Sequence, residues 1–82
     1  MIENHSLVNE LPEFKEQIHD LKMSDRRFQG LFNDYHKVDK EIHRIEEGVE
    51  NTSDTYLEGL KKTRLNLKDE LFSILKSAEA EA

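Results

Sequence analysis

Apolar residues follow an alternating spacing of three and four through the middle of the chain. Sustained over three heptads, this spacing keeps one seam of an α-helix facing a partner helix, whereas a β-strand would need alternation by two. The pattern therefore predicts a long helix over residues 25–48. Its seam residues are Phe28, Leu31, Tyr35, Val38, Ile42, Ile45 and Val49.

A helix-stop glycine, Gly48, and the polar run at residues 50–54 interrupt this pattern and predict a turn over residues 49–53. The same spacing then resumes and predicts a second long helix over residues 54–78, which leaves residues 79–82 as a frayed tail. Arg64 is the only charged residue in the second seam. The seam residues are Leu57, Leu60, Arg64, Leu67, Leu71, Ile74 and Ala78.

Folding the two helices back on each other predicts an all-α fold, an antiparallel two-helix coiled-coil hairpin. A turn near Asn51 would pair apolar positions of one seam with apolar positions of the other. Opposite charges on the flanks favour this alignment, because antiparallel coiled coils bring like-lettered flanking positions together. The flanking acids are Asp39 and Glu46, and the facing bases are Lys61 and Lys68. In this alignment Asp39 is also the nearest predicted acid to Arg64.

A short helix is predicted before the hairpin, over residues 11–22. Leu11, Phe14, Ile18 and Leu21 lie at helical spacing, and Pro12 falls where a first helical turn tolerates proline. Ser24 and Asp25 offer an N-cap for the long helix, so we expect a break at residues 23–25, with one continuous bent helix as the alternative. Residues 1–10 are expected to form a flexible N-terminus.

Three short stretches of the hairpin region resemble the YdcH-like family of small bacterial proteins. They are Phe28-x2-Leu31-Phe32, His36-Lys37-Val38-Asp39-x-Glu41-Ile42 and Lys61-Lys62-x-Arg64-Leu65-x-Leu67-Lys68-Asp69-Glu70. The resemblance covers about Leu11 to Ile74. It implies a helical hairpin of unknown function in the bacterial cytoplasm, and it carries no catalytic residues.

Composition and net charge disfavour several classes of function. The chain has 82 residues, of which 35% are hydrophobic and 37% charged, so it allows one small domain and makes catalysis a poor expectation. Its net charge of −6 divides as −4, 0 and −2 over residues 1–25, 26–47 and 48–82, which disfavours general affinity for nucleic acid or acidic lipid. Without cysteine, a signal-like start or a membrane-spanning apolar run, we expect a cytoplasmic protein.

A second apolar surface lies outside the seam, formed by Phe32, Leu65, Phe72 and Leu75. The short helix could cover it, two hairpins could associate through it, or a partner protein could bind it. We expect it to act as a set of hydrophobic anchors, with Arg27 and Arg64 as orienting charges. The sequence thus predicts a non-enzymatic interaction or adaptor module that self-associates, a dimer being favoured, and that binds an unknown protein partner.

The alternative function is a nucleic-acid-associated accessory protein using a basic outer face formed by Lys37, Lys40, Arg44 and Lys62. Nearby acids dilute that face, so nucleic acid is the weaker expectation. His36, Asp39, His43 and Glu47 have metal-ligand spacing on one helix, but no second ligand set accompanies them. We therefore expect no metal, cofactor, catalytic residue or small-molecule substrate.

Overall fold

The computed structural model describes residues 6–48 and 51–81, apart from the side chain of residue 81. Within these residues, four α-helices follow one another: α1 at Leu7–Glu10, α2 at Lys15–Ser24, α3 at Arg26–Glu46 and α4 at Asp54–Glu81. A 3-10 turn at Pro12–Phe14 joins α1 to α2. No strand occurs in the described part of the chain, so the all-α class is confirmed.

The break between α2 and α3 falls at one residue, Asp25. Its backbone is extended, with φ −122° and ψ 114°, and its Oδ1 accepts a hydrogen bond of 2.9 Å from the Phe28 amide. This is the geometry of an N-cap, in which a short acidic side chain satisfies an amide that the first helical turn leaves without a partner. The chain therefore forms two separate helices here.

Local chemistry also ends α3 and begins α4. Gly48 has φ +81°, a left-handed conformation that costs glycine little, and it follows the last helical residues of α3. At the start of α4, Ser53 Oγ accepts a hydrogen bond of 3.1 Å from the Tyr56 amide. Residues 51–53 are not helical, whereas 49 and 50, and with them the predicted seam residue Val49, lie outside the described residues.

Helices α3 and α4 contact each other extensively, and their apolar seams form the interior. Phe28, Tyr35 and Ile42 of α3 and Leu71 of α4 are fully buried, each with 0% exposure. The remaining described seam residues are partly buried. Ion pairs join Asp39 to Arg64 and Glu46 to Lys61, so the residue number falls along α4 as it rises along α3.

The expected flexible N-terminus needs correction for residues 6–10. Ser6 Oγ accepts a hydrogen bond of 3.4 Å from the Asn9 amide and caps α1, and Leu7 is fully buried. The physical reason is apolar burial, since Leu7 and Leu11 together enter the main core cluster. Residues 1–5 lie outside the described residues. Below, residues 6–14 are called the N-terminal segment.

Several predicted boundaries also move. The helix expected over residues 11–22 is divided, because Leu11 ends α1 with φ −131° and ψ 63° and the 3-10 turn follows before α2. The last helix continues to Glu81, three residues into the predicted frayed tail, and residue 82 lies outside the described residues. Among the described helices, none combines the length and the apolar character needed to cross a membrane.

Candidate interaction surface

Besides Tyr56, whose hydroxyl donates to Glu41, the described part of α4 leaves two large apolar side chains open to solvent. Leu65 is 54% exposed and Phe72 is 39% exposed. They lie seven residues apart, and such a spacing places both on one side of a helix. Both were expected there from the sequence. We call this pair the α4 face.

Phe72 is shared between solvent and the interior. Its ring meets the ring of Phe14 edge to face, with centroids 5.8 Å apart and planes at 87°. Phe14 itself is 3% exposed, so one side of Phe72 is covered by the N-terminal segment while the other remains open. The α4 face is therefore continuous with the docking site of that segment.

Leu75 does not belong to the exposed surface that the sequence predicted. It is 0% exposed and joins the main core cluster together with Leu7, Leu11 and Phe14. The reason is that the N-terminal elements pack on the helical pair and cover Leu75, as in the first of the three alternatives given for this surface. Leu75 is thus a core residue and unavailable as an anchor for a partner.

Phe32 differs from Leu75, because contacts within the chain bury it only in part. It is partly buried on α3, and its ring centroid lies 6.3 Å from that of Phe28 and 4.2 Å from that of His36. Lys22 Nζ lies over the same ring, 4.5 Å from its centroid. A cation over an aromatic face is an attractive electrostatic contact. Phe32 therefore connects α2 to α3, and its role as an anchor for a partner stays a prediction.

The two arginines expected to orient a partner occupy different places. Arg64 Nη1 donates a hydrogen bond of 2.8 Å to Asp39 Oδ1 inside the helix pair, and the Arg64 side chain is 18% exposed. Arg27 is exposed and lines a surface cavity with residues of α4 that include Glu70 and Ile74. Because Arg64 pairs with Asp39 between the helices, Arg27 is the one of these two arginines whose charge lies at the surface.

The basic residues of the nucleic-acid alternative are only partly brought together. Lys37, Lys40 and Arg44 line one surface depression, but Glu41 lines it as well. Lys62 lies on α4 and does not contribute to that depression. An acid within the basic strip weakens its attraction for phosphate. The nucleic-acid alternative stays a prediction.

The histidines and acids with metal-ligand spacing are used in other ways. His36 contacts α1 through a hydrogen bond, Asp39 pairs with Arg64, and His43 Nε2 lies 4.0 Å from Asp39 Oδ2. Within residues 6–48 and 51–81, no group of three or more histidine or acidic side chains could hold a metal ion.

Sequence reasoning missed two contacts of the N-terminal segment. Lys68 Nζ lies 3.4 Å from Glu10 Oε1, and the Leu7 amide donates a hydrogen bond of 3.3 Å to His36 Nε2. Both pairs are far apart in sequence, and Lys68 was assigned to a different acid. The available signal was Leu7 itself, which lies four residues before Leu11 and so shares a helical face with it.

Burial also affects one titratable group of the core. The Tyr35 side chain is enclosed between the helices, and this burial, reinforced by the negative charges of Glu10 and Asp39, raises its pKa from 10.0 to about 12, against the opposing charge of Arg64. A low-dielectric site disfavours the phenolate. The phenol therefore stays protonated well into the alkaline range.

Comparison with known proteins identifies the class to which this architecture belongs. The chain belongs to the family described as "Protein of unknown function (DUF465)", whose model matches residues 28–75. That range covers most of α3 and α4 and leaves the N-terminal segment and α2 outside the match.

Among curated proteins, the chain is 38% identical over 64 residues to "Uncharacterized protein YdcH" of Escherichia coli (strain K12), which covers 78% of this chain and 86% of the relative. The protein of the same name from Shigella flexneri matches with the same identity and coverage. The expected membership of the YdcH-like family is thereby confirmed. No solved structure matches the chain significantly.

Proposed function

We propose that this protein is a non-enzymatic protein–protein interaction or adaptor module that self-associates through the α4 face, with a dimer favoured. The observation that carries the proposal is the exposure of Leu65 and Phe72, at 54% and 39%, on one side of a long helix. Covering a large apolar side chain stabilises by about 1.5–3 kcal/mol, so an open pair of this kind favours association.

The proposed scaffold for this face is an antiparallel coiled-coil hairpin of α3 and α4. The reversed order of the pairs Asp39–Arg64 and Glu46–Lys61 supports opposite chain directions. Burial of heptad positions on both helices, among them Tyr35 and Leu71, supports a coiled-coil seam. Such a hairpin would hold the α4 face rigid, which reduces the entropy lost when a partner binds.

We place this activity in the cytoplasm as part of the same proposal. The 82-residue sequence has no cysteine, so the fold needs no oxidising compartment for disulfide formation.

Self-association is tested with a charge placed in the α4 face. Sedimentation velocity over a range of concentrations should give a dimer for the parent chain and a monomer for Leu65→Glu. The matched control is Asn66→Glu, which adds the same charge at a neighbouring exposed position and should leave the dimer intact. Circular dichroism should give the same helix content for all three proteins. A parent chain that stays monomeric at every concentration would refute self-association through this face.

Phe72→Glu provides a second variant with a different structural effect. It should also weaken self-association, but it removes the Phe14 contact as well, so its thermal midpoint should fall below that of Leu65→Glu. The adaptor role is tested by capture of the tagged protein from its own cells, with and without nuclease. Partners retained by the parent and Asn66→Glu but lost by Leu65→Glu would support it, whereas retention abolished by nuclease would favour the basic face instead.

A further inference from the structure

The two ring nitrogens of His36 have different and well-defined partners. Nδ1 lies 3.0 Å from the carbonyl oxygen of Phe32, and Nε2 lies 3.3 Å from the amide nitrogen of Leu7. A carbonyl oxygen can only accept, so the hydrogen of that first contact must be carried by Nδ1. An amide N–H can only donate, so Nε2 must offer its lone pair. In this arrangement His36 is therefore neutral, with its proton on Nδ1.

The amide that donates a hydrogen bond to His36 belongs to Leu7, the first residue of α1. Amides of a first helical turn have no carbonyl partner within the helix and need an acceptor from elsewhere. Leu7 is also 0% exposed, so its amide is held where the N-terminal segment enters the core. The imidazole thus satisfies a backbone donor at the point that anchors the segment to α3.

Protonation would reverse this contact. A protonated imidazole donates from both nitrogens, so Nε2 would direct an N–H at the Leu7 N–H and the amide would lose its acceptor. We propose that His36 is a pH-operated latch, which holds the N-terminal segment docked when neutral and releases it when protonated. Histidine is the side chain whose charge ordinarily changes between about pH 5 and about pH 8, so the proposal is tested across that range.

Other titratable and charged groups surround the latch. Lys22 of α2 lies over the Phe32 ring that contacts His36, and it lines a surface cavity with His19 and Val8. Glu10 of the N-terminal segment pairs with Lys68 of α4, and Arg64 of α4 pairs with Asp39. On α3 itself, His36 shares a surface depression with Asp39, Lys40 and His43. Of these groups, His43 is the other histidine, and it lies 4.0 Å from Asp39 Oδ2, so its own titration must be separated from that of His36.

Release would change what α4 presents. The segment covers one side of Phe72 through Phe14, and Leu7 and Leu11 share the core cluster with Leu75. Undocking would therefore extend the apolar surface beyond Leu65 and Phe72 towards Leu75. The use of this larger surface rests on the proposed function, whereas the latch itself does not.

Amide hydrogen exchange followed by NMR tests the latch directly. The amides of Leu11 and Phe14, bonded to the carbonyls of Leu7 and Leu11 at 2.9 and 3.0 Å, report on the docked segment, and the Glu47 amide reports on α3. Between about pH 7.5 and about pH 5.5, after correction for intrinsic exchange, protection of Leu11 and Phe14 should fall by up to about tenfold, because docking excludes the added proton. Protection of Glu47 should stay unchanged.

Three variants separate the histidines. In His36→Gln the side-chain oxygen can accept from the Leu7 amide without titrating, so the pH-dependent loss of protection should disappear. His43→Gln and the α2 surface variant His19→Gln should retain it. Imidazole nitrogen shifts in the parent chain report the protonation of His36 independently. Undiminished protection of Leu11 and Phe14 with His36 protonated, or the same loss in His36→Gln, would overturn the proposal.

The same measurements are repeated in the Leu65→Glu background at low protein concentration. A latch that operates there is independent of self-association, so failure of the proposed function and failure of the latch give different results. The expected result is the same fall in protection as in the parent chain.

Discussion

Arg64 Nη1 donates a hydrogen bond of 2.8 Å to Asp39 Oδ1 within the interface of α3 and α4. The two side chains are 18% and 8% exposed, so little solvent screens the pair. Arg64 occupies a position that apolar residues fill elsewhere in the α4 seam. Because sliding one helix by a turn would leave Asp39 buried without a cation, the pair favours one alignment of the helices.

Removal of the arginine should therefore be costly. We predict that Arg64→Leu lowers the free energy of unfolding by about 3 kcal/mol, since it leaves the Asp39 carboxylate buried and uncompensated. Replacing both partners by leucine should restore most of the loss. Urea denaturation followed by circular dichroism measures both effects. Lys61→Leu is the control, because its pair with Glu46 spans 3.9 Å at the surface and should contribute less than about 1 kcal/mol.

Tyr35 predicts a loss of stability at alkaline pH. Its pKa of about 12 in the folded protein exceeds the ordinary 10.0, so the folded state binds the phenol proton more tightly than the unfolded state. The resulting stability, roughly 3 kcal/mol, is fully present below pH 10 and is lost as pH rises towards 12.

Ultraviolet titration checks the Tyr35 prediction. The chain has two tyrosines, so Tyr56→Phe leaves Tyr35 as the only source of the tyrosinate absorbance. The absorbance should rise two units above the ordinary value of 10.0, near pH 12, unless the protein unfolds first. Tyr35→Phe should make unfolding less sensitive to pH over that interval. Titration of Tyr35 at the ordinary value in the folded protein would contradict the prediction.

The helices themselves could be predicted because their pattern is local. Phe28, Tyr35 and Ile42 repeat at spacings of seven, and a helix with that repeat must bury one side. The family resemblance carried by residues near Arg64 could be recognised for the same reason, since it depends on short stretches of sequence. Arg64 could also be assigned to Asp39 from the register of two helices.

The sequence offered covering of Leu75 by the short helix as one of three alternatives but could not select it. The burial of Leu75 depends on the N-terminal segment, which packs on α4. That packing includes contacts between residues distant in sequence, such as Glu10 and Lys68, which are 58 residues apart. No periodicity connects residues at that distance. The sequence alone therefore cannot tell which basic residue pairs with Glu10. The exposed part of the candidate surface, Leu65 with Phe72, was predictable because it lies on one helix.

The Asp25 cap should stabilise the start of α3. We predict that Asp25→Ala lowers the free energy of unfolding by about 1 kcal/mol, because the Phe28 amide loses its acceptor at 2.9 Å. Asp25→Ser should retain most of the stability, since serine also caps well. Asp34→Ala removes an equal charge from the exposed face of α3 and should change stability much less. Equal losses in the two alanine variants would show that charge, rather than capping, is responsible.

The edge-to-face contact of Phe14 and Phe72 should couple the N-terminal segment to α4. Phe14→Ala should cost about 3 kcal/mol or more, because its side chain is 3% exposed, and Phe72→Ala should cost less because Phe72 is 39% exposed. The double variant should lose less than the sum of the two, by about 1 kcal/mol, which is the expected contribution of the ring contact.

Thermal and urea unfolding of the four proteins give this coupling energy. Tyr56→Ala combined with Phe14→Ala is the control, since Tyr56 contacts Glu41 on α3 and should add to Phe14 within about 0.5 kcal/mol. Strict additivity of the Phe14 and Phe72 changes would mean that the ring contact adds no coupling energy and that other contacts hold the segment, among them the burial of Leu7. A measured coupling would instead mean that binding at the α4 face changes the stability of the docked N-terminal segment through the Phe72 ring.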